Sequence, residues 1–402
     1  MQEDWKEYIL TEFVEINPPV QLEKDSEYSF VEMKDLNENK RFVYPSTIRK
    51  LTSGSRFENN DTLFARITPC LENGKICQVK GLKNGVGFGS TEFLVFRGRR
   101  NVSDNDFVFY LSRYSEVKEF GVQNMSGTSG RQRVNKEAFN NLFMELPPHT
   151  EQQKIASILS SLDDKIELNN KMNQTLEKIA SAIFNHWFID FEFPNEEGKP
   201  YKSSIGEMVS SELGEIPKGW RVGNLRDIYL NFDFKRIPLS SREREIRKGT
   251  YPYYGAASIL DYVDDYIFDG IYLLLGEDGT VIDENEKPIL QYVWGKFWVN
   301  NHTHVMQGKK YFTTEYLYLL LKNTNVKHII TGAVQPKISQ MNLNNIKVIM
   351  PTNDILELFS SSTKTIFEEI RIKKEENQTL HQLRESLLPR LMNGKIRVKL
   401  DA

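Results

Sequence analysis

Two glycine-bearing loops hold the side chains in this sequence best equipped for directional hydrogen bonding. The first is Ser126-Gly127-Thr128-Ser129-Gly130-Arg131-Gln132-Arg133, and the second is Thr331-Gly332-Ala333-Val334-Gln335-Pro336-Lys337. Small residues such as Thr128 and Ser129 let a backbone approach a phosphate closely. Arg131, Gln132 and Arg133 carry the forked groups that pair with guanine and adenine edges. The second loop keeps the shape of the first but offers a different reading set in Gln335 and Lys337, as two units reading different half-sites would require. The alternative is a pair of glycine turns whose charges are simply solvated. Arg66, Ser90 and Thr91 are further candidates in the first half, and Asn300, Asn301, His302, Lys235 and Arg236 in the second. The runs Arg97, Arg99, Arg100 and Arg242, Arg244, Arg247, Lys248 add basic side chains, although charge runs are usually solvated faces.

Reaction chemistry is harder to place. Asn17-Pro18-Pro19-Val20 is similar to the Asn-Pro-Pro-aromatic loop of amino-methyltransferases but lacks the stacking aromatic, so it reads as a turn after a strand. Gly85-Val86-Gly87-Phe88-Gly89 is followed by the β-like run Phe93–Phe96 rather than a helix, so it cannot set a phosphate on a helix N-terminus. No G-x-x-x-x-G-K-[ST] pattern is present. His302-Thr303-His304 would turn two imidazoles to one side of a strand, without an obvious third metal ligand. The chain reads as catalytically silent, with no metal and no cofactor of its own.

What must position the loops is a duplication. Asn173-Gln174-Thr175-Leu176 recurs 204 residues later as Asn377-Gln378-Thr379-Leu380. Asn140-Asn141, Pro147 and Ile166 recur at the same offset as Asn344-Asn345, Pro351 and Ile370. From Thr150 to about Asp190 there is no glycine or proline. Apolar positions alternate there at spacings of four and three: Ile155, Leu159, Leu162, Ile166, then Asn169 and Asn173, then Leu176, Ala180, Ile183 and Trp187. That is a coiled-coil seam, and an interior asparagine fixes register at a cost in stability. The matching seam runs through Phe359, Thr363, Ile366, Ile370, Lys373, Asn377, Leu380, Arg384, Leu387 and Leu391. Each rod is about 60 Å long and needs a partner, so the two are expected to pack antiparallel, with Asn173 and Asn377 either meeting or nearly so, or both lying at a polar edge of the seam. Thr150 with Gln153, and Asp354 with Glu357, are expected as helix caps. Asn393-Gly394 closes the second rod, with Pro389 ending or kinking it a turn earlier.

The predicted fold is α+β. Two similar mixed α/β domains (1–146 and 216–350) are joined by the long helices (147–193 and 351–402, the latter with a tail). Residues 194–215 serve as a linker, and residues 107–120 form one short helix in the first domain. The formal net charge of -3 lowers the case for nucleic-acid binding, because a basic domain would be the plainer signal. Cys70 and Cys77 read as buried thiols in a reducing compartment. No run approaches 18 apolar residues, and Met1-Gln2-Glu3-Asp4 lacks a signal-peptide h-region, so a cytoplasmic protein with no membrane partner is expected.

Leu146-Pro147-Pro148 followed by Glu151-Gln152-Gln153-Lys154-Ile155-Ala156, then Leu162-Asp163 and Ile166, resembles the first conserved region of the specificity subunit of type I restriction–modification systems. Pro217-Lys218-Gly219-Trp220 resembles the opening of that family's second target recognition domain, and Leu388–Arg397 its C-terminal end. The second conserved region departs from the pattern: Pro351-Thr352-Asn353-Asp354 replaces Pro-Pro-x-x-Glu-Gln. The resemblance implies that each head reads half of a bipartite double-stranded DNA target and that the helix pair spaces the halves. It also implies that two methyltransferase subunits dock on the chain and supply S-adenosylmethionine chemistry, and that restriction subunits supply ATP-driven translocation and cleavage. A protein-interaction scaffold with two heads on a coiled coil is the competing reading.

Overall fold

The computed structural model describes residues 4–332 and 335–399; Met1–Glu3, Ala333, Val334 and residues 400–402 lie outside the described residues. The chain forms two compact units, one of Met1–Lys171 with Lys373–Ala402, the other of Met172–Ile372. Each unit therefore holds one head and one half of each long helix. A division by sequence order alone, head then rod then head then rod, does not follow these units.

In the first unit, a five-stranded sheet runs in the order Val14–Ile16, Phe93–Gly98, Thr62–Ala65, Ile76–Val79, Phe42–Val43. A four-stranded sheet runs in the order Thr47–Lys50, Glu27–Val31, Val86–Gly89, Ser55–Glu58, with the middle pair parallel. Lys6–Ile9 pairs antiparallel with Phe143–Leu146, which delivers the chain into the first long helix. Gly85 ends a tight turn at φ 77°, and Gly87 and Gly89 belong to the strand that follows, so the run is not a phosphate loop. A Cβ on Gly89 would stand 2.5 Å from the Val31 carbonyl oxygen of the neighbouring strand, so only glycine permits this approach. Asn17 follows its strand with φ 56° and closes both the amide and the carbonyl of Val95, as a turn residue should.

The second unit repeats this topology. Its main sheet runs Tyr229–Asn231, Thr303–Gly308, Tyr272–Gly276, Leu290–Val293. A second sheet runs Ile259–Val263, Lys248–Tyr254, Lys296–Val299, Phe268–Asp269, again with a parallel middle pair. Arg221–Asn224 pairs antiparallel with Lys347–Met350, which leads into the second long helix. The duplication read from a few residues of the rods thus extends into both sheets of each head, with one strand fewer in the main sheet of the second.

The long helices span His149–Phe188 and Asn353–Met392. In the first unit they run antiparallel, because Asp163 meets Arg384 while Asn169 meets Asn377. Ile155 and Leu159 share a core with Leu388, Leu391 and head residues Phe107–Leu111, with Leu387 packed against it. Ile166 is buried, and Leu162 and Leu380 are half-buried. In the second unit the end of the first helix packs on the start of the second: Phe188 and Phe359 have ring centroids 4.9 Å apart at 77°. Ala180, Phe184 and Ile370 join that core, with Leu176, Ile183 and Ile366 against it.

Several local expectations are corrected. Asn377 meets Asn169 and Asn170 at 2.9 Å rather than Asn173, because the pairing sits one helical turn away from the expected register. Asn173 is buried with neither amide atom hydrogen-bonded among the described residues. Thr150 and Gln153 do not cap: the Pro148 carbonyl already accepts from the amides of Glu151 and Gln152. Gln152, buried, instead ties the helix start to the Val102 and Pro147 carbonyls and the Asp104 amide. Asp354 likewise falls inside the first turn of a helix that begins at Asn353. Pro389 does not end its helix, which continues to Met392 before Gly394 closes it at φ 66°. Residues 107–120 form two helices, Asn105–Arg113 and Ser115–Gln123, split at an extended Tyr114. The 194–215 segment, expected as a linker, carries packed and paired residues of its own. Phe193 stacks on Tyr201 and Trp220 at 4.6 and 4.9 Å, and Met208–Ser211 pairs with Gly214–Pro217. Cys77 is buried, which pushes its thiol up to about 11, but Cys70 is half-exposed.

Candidate nucleic-acid interface

Each head ends in the same construction. In the first, Ser126 and Arg133 close the loop with paired backbone bonds of 3.0 and 2.9 Å. Gly127 sits at φ 127°, a conformation L side chains rarely adopt, so the turn requires glycine there. The returning strand is stitched to Arg66–Thr68. The Thr68 amide donates to the Gln132 carbonyl, the Gln132 amide to Thr68 Oγ1, and the Val134 amide to the Arg66 carbonyl. Thr128, Ser129, Gly130 and Arg131 are exposed at the tip, and Arg131 makes no side-chain hydrogen bond among the described residues.

The second head closes its loop in a similar way, one residue shorter and without a counterpart of the Gln132–Thr68 bond, because Pro336 has no amide hydrogen. Thr331 and Lys337 pair at 2.9 and 2.8 Å, the Gly279 amide donates to the Pro336 carbonyl, and the Ile338 amide to the Glu277 carbonyl. A Cβ on Gly332 would fall 2.3 Å from the Gln335 carbonyl oxygen. Matching bonds run from Arg66 N to the Glu92 carbonyl and from Glu277 N to the His302 carbonyl. They align Arg66 with Glu277, Glu92 with His302, and Arg133 with Lys337. Ser90 Oγ accepts from the Glu92 amide, as Asn300 Oδ1 accepts from the His302 amide. One backbone scaffold therefore presents two unlike sets of side chains.

The side chains divide into those facing solvent and those already spent. Arg133 is held by Glu92, with Nε 2.9 Å and 3.0 Å from the two carboxylate oxygens. Arg66 donates from Nη2 to Asn135. Thr91 is exposed and lines a groove of about 930 Å³ with Gln21, Gly54 and Arg56. Gln335, Lys337, Asn301 and Lys235 are exposed. Arg236 is not available to a ligand: its Nη1 donates to Glu277 at 2.6 Å and to the Thr303 carbonyl at 2.8 Å. Arg97 is likewise taken, by a bidentate pair with the buried Asp61. His302 and His304 do not share a face. His302 lies in the turn before its strand, half-exposed and 2.6 Å from Asp278, whereas His304 is buried.

His304 anchors a charged cluster that sequence reading missed. Its Nδ1 lies 2.6 Å from Asp233 Oδ2, and its Nε2 lies 2.8 Å from the Ile338 carbonyl oxygen. Asp233 also accepts from the Val305 amide, Arg236 bridges toward both acids, and Lys337 Nζ lies 3.1 Å from Glu277. Burial is the largest influence on the Asp233 carboxyl and would raise it, but the hydrogen bond and charge of His304, with hydrogen bonds from Asn231 and Val305, together hold it low. Burial opposes charge on His304, but Asp233 and Glu277 raise it above the usual imidazole value. Asp233, Glu277 and His304 do bring three ligand-type atoms within 4.8 Å of one another. The Ile338 carbonyl can only accept, so Nε2 carries a proton. The low-lying Asp233 carboxyl favours a proton on Nδ1 as well, and a ring protonated on both nitrogens has no lone pair for a cation. Glu92 and the Asp233–Glu277 pair could not have been found from periodicity, since they join segments far apart in the chain.

Comparison with known proteins places these features. The family model for the type I restriction modification DNA specificity domain matches residues 2–178 and 217–382. The type I restriction enzyme MjaIX specificity subunit of Methanocaldococcus jannaschii is 29% identical over 331 residues, covering 75% of this chain and 73% of that one. The HindI specificity subunit of Haemophilus influenzae is 24% identical, covering 98% and 100%. The crystal structure of the type I restriction-modification system S subunit from M. genitalium shares the fold, with a TM-score of 0.53 at 14% identity over 99% and 97% of the two chains.

Proposed function

The chain belongs to the type I restriction modification DNA specificity family, and from that premise we propose how its two heads divide the reading of a target. Each head reads one half of a bipartite double-stranded DNA sequence through its terminal loop. The first half-site is read by Thr128, Ser129, Arg131 and Gln132, with Thr91 and Ser90 beside them and Arg66 and Arg133 setting the loop's base. The second is read by Gln335, Lys337, Asn301, His302 and Lys235. The observation that carries this reading is the common backbone stitching of the two loops under different side chains. A shared manner of closing the loop suits a duplex whose two half-sites are related by approximate twofold symmetry, and unlike forks suit unlike bases.

The long helices set the spacing between half-sites and provide docking surface for two methyltransferase subunits; restriction subunits complete the assembly. The chain itself is non-catalytic, and S-adenosylmethionine and ATP are bound by its partners. Among the described residues no helix is long and apolar enough to cross a membrane.

The test is to sequence methylated sites in a host carrying this chain with its methyltransferase partners. Replacing residues 1–146 by the first head of another family member is expected to change one half of the methylated sequence and leave the other intact. A target altered in both halves, or in neither, would overturn the division of labour.

A further inference from the structure

The two reading loops are built alike but anchored differently. At the strand position where the first head has the buried Leu94, the second has the buried His304: Leu94 pairs across its ladder with Phe64, His304 with Leu275. His304 is enclosed by groups from every segment packed on it. Asp233 and Arg236 come from the turn after Tyr229–Asn231, Glu277 from the end of the neighbouring strand, and Lys337 from the loop, with the Asp278–His302 pair alongside. The turn that supplies Asp233 also carries Phe234, 77% exposed, and Lys235, whose ammonium lies 5.3 Å from the Phe232 ring centre. One imidazole therefore joins the backbone of the loop, at Ile338, to the turn bearing an unburied aromatic ring and a cation.

We propose that His304 is the positioning residue of the second half-site: it pins the Lys337–Ile338 segment to the Phe234–Lys235 turn, so that loop and turn meet DNA as one rigid reading surface. This rests on the reading of the loops as base-reading elements. The first head needs no such clamp, because Thr68 and Glu92 fix its loop directly. The clamp requires the doubly protonated ring. Its pKa is raised in the folded chain, so the clamp is complete below the ordinary imidazole range and is released as pH rises through the elevated value. Second-half recognition accordingly weakens toward alkaline pH, while first-half recognition does not follow that titration.

The experiment uses the full chain assembled with its methyltransferase partners. Methylation rates are measured on the cognate duplex and on duplexes altered in one half at a time. His304→Gln, which keeps one donor but cannot serve both acceptors, is expected to lower discrimination at the second half roughly tenfold, while the first half stays within about twofold. Amide exchange at Lys337 and Ile338 should quicken in the variant, with Gln132 and Arg133 unchanged. Equal loss at both halves, or unchanged second-half discrimination with unchanged exchange, would overturn the proposal. Should the variant fail to assemble, the native pH profile decides: parallel profiles for the two halves refute the clamp. If the native complex discriminates at neither half, the assignment of the loops fails instead, and amide exchange still reports on the clamp.

Discussion

At the scale of single residues, the two arginines of the first loop have different jobs. Arg131 faces solvent, whereas Arg133 is held by Glu92. Arg131→Ala is expected to cost first-half recognition about 1–3 kcal/mol, the worth of a bidentate base contact, with second-half recognition unchanged. Half-site competition binding measures this, and equal losses at both halves would contradict it. A second residue-scale prediction concerns Asp163 and Arg384, which pair with side chains only 3% and 4% exposed while Asp163 also accepts from Tyr110 at 2.7 Å. Arg384→Ala leaves a buried carboxylate unpaired and is expected to destabilise the first unit by about 3–5 kcal/mol. The double change of Asp163 and Arg384 to apolar residues of similar volume should recover much of that loss. Chemical denaturation of the three proteins would show it. Such an exchange is already present at the duplicated positions, where Phe367 and Ala180 occupy the equivalent places inside an apolar core.

At the scale of elements, the first long helix is secured at both ends by different means. Glu151, 1% exposed, accepts from Trp5 Nε1 at 3.1 Å and from Arg397 at 2.8 and 3.0 Å. One carboxylate thus ties both ends of the described chain to the helix start. At the other end, Phe188 packs on Phe359, Tyr316 and Trp220. Phe188→Ala is expected to cost about 3–5 kcal/mol through the cavity it leaves, read as a lowered unfolding midpoint. The helices also carry a prediction about spacing. Inserting one heptad into each should lengthen the unmethylated spacer of the target while preserving both half-sites. A target of unchanged spacer would show that something other than helix length sets it.

For the whole molecule, a net charge of -3 means that attraction to DNA must be local rather than global. Many basic side chains singled out by sequence are paired internally: Arg97 with Asp61, Arg236 with Glu277, Arg244 and Lys248 with Asp261, and Arg247 with Asp264. What remains without a carboxylate partner on the loops and the adjoining turn, among the described residues, is a small set that includes Arg131 and Lys235, whereas Lys337 is bridged to Glu277 at 3.1 Å. Binding by the assembled complex should still weaken as salt rises, because each phosphate neutralised by a cationic side chain releases counterions. Lys235→Ala should make the logarithmic salt slope shallower by less than about one unit, the share of a single phosphate. A slope unaffected by the change would place phosphate binding elsewhere on the surface.

Sequence alone determined the duplication, the two long helices and the places of both loops. These follow from local information: a repeat of seam residues at heptad spacing, glycines where a turn demands positive φ, and prolines at the rod entrances. Asn17 was legible as a turn, and Gly85–Gly89 as something other than a phosphate cradle, for the same reason. Tertiary structure alone decided which asparagines meet, because register depends on how two helices slide past each other and a shift of one turn leaves the seam apolar. It also decided which charges are free, since a guanidinium's partner can lie far along the chain, as Glu277 does from Arg236. The fate of His304 belongs to the same class: a histidine on a strand is indistinguishable by spacing from a surface one until Asp233 and Ile338 close on its two nitrogens.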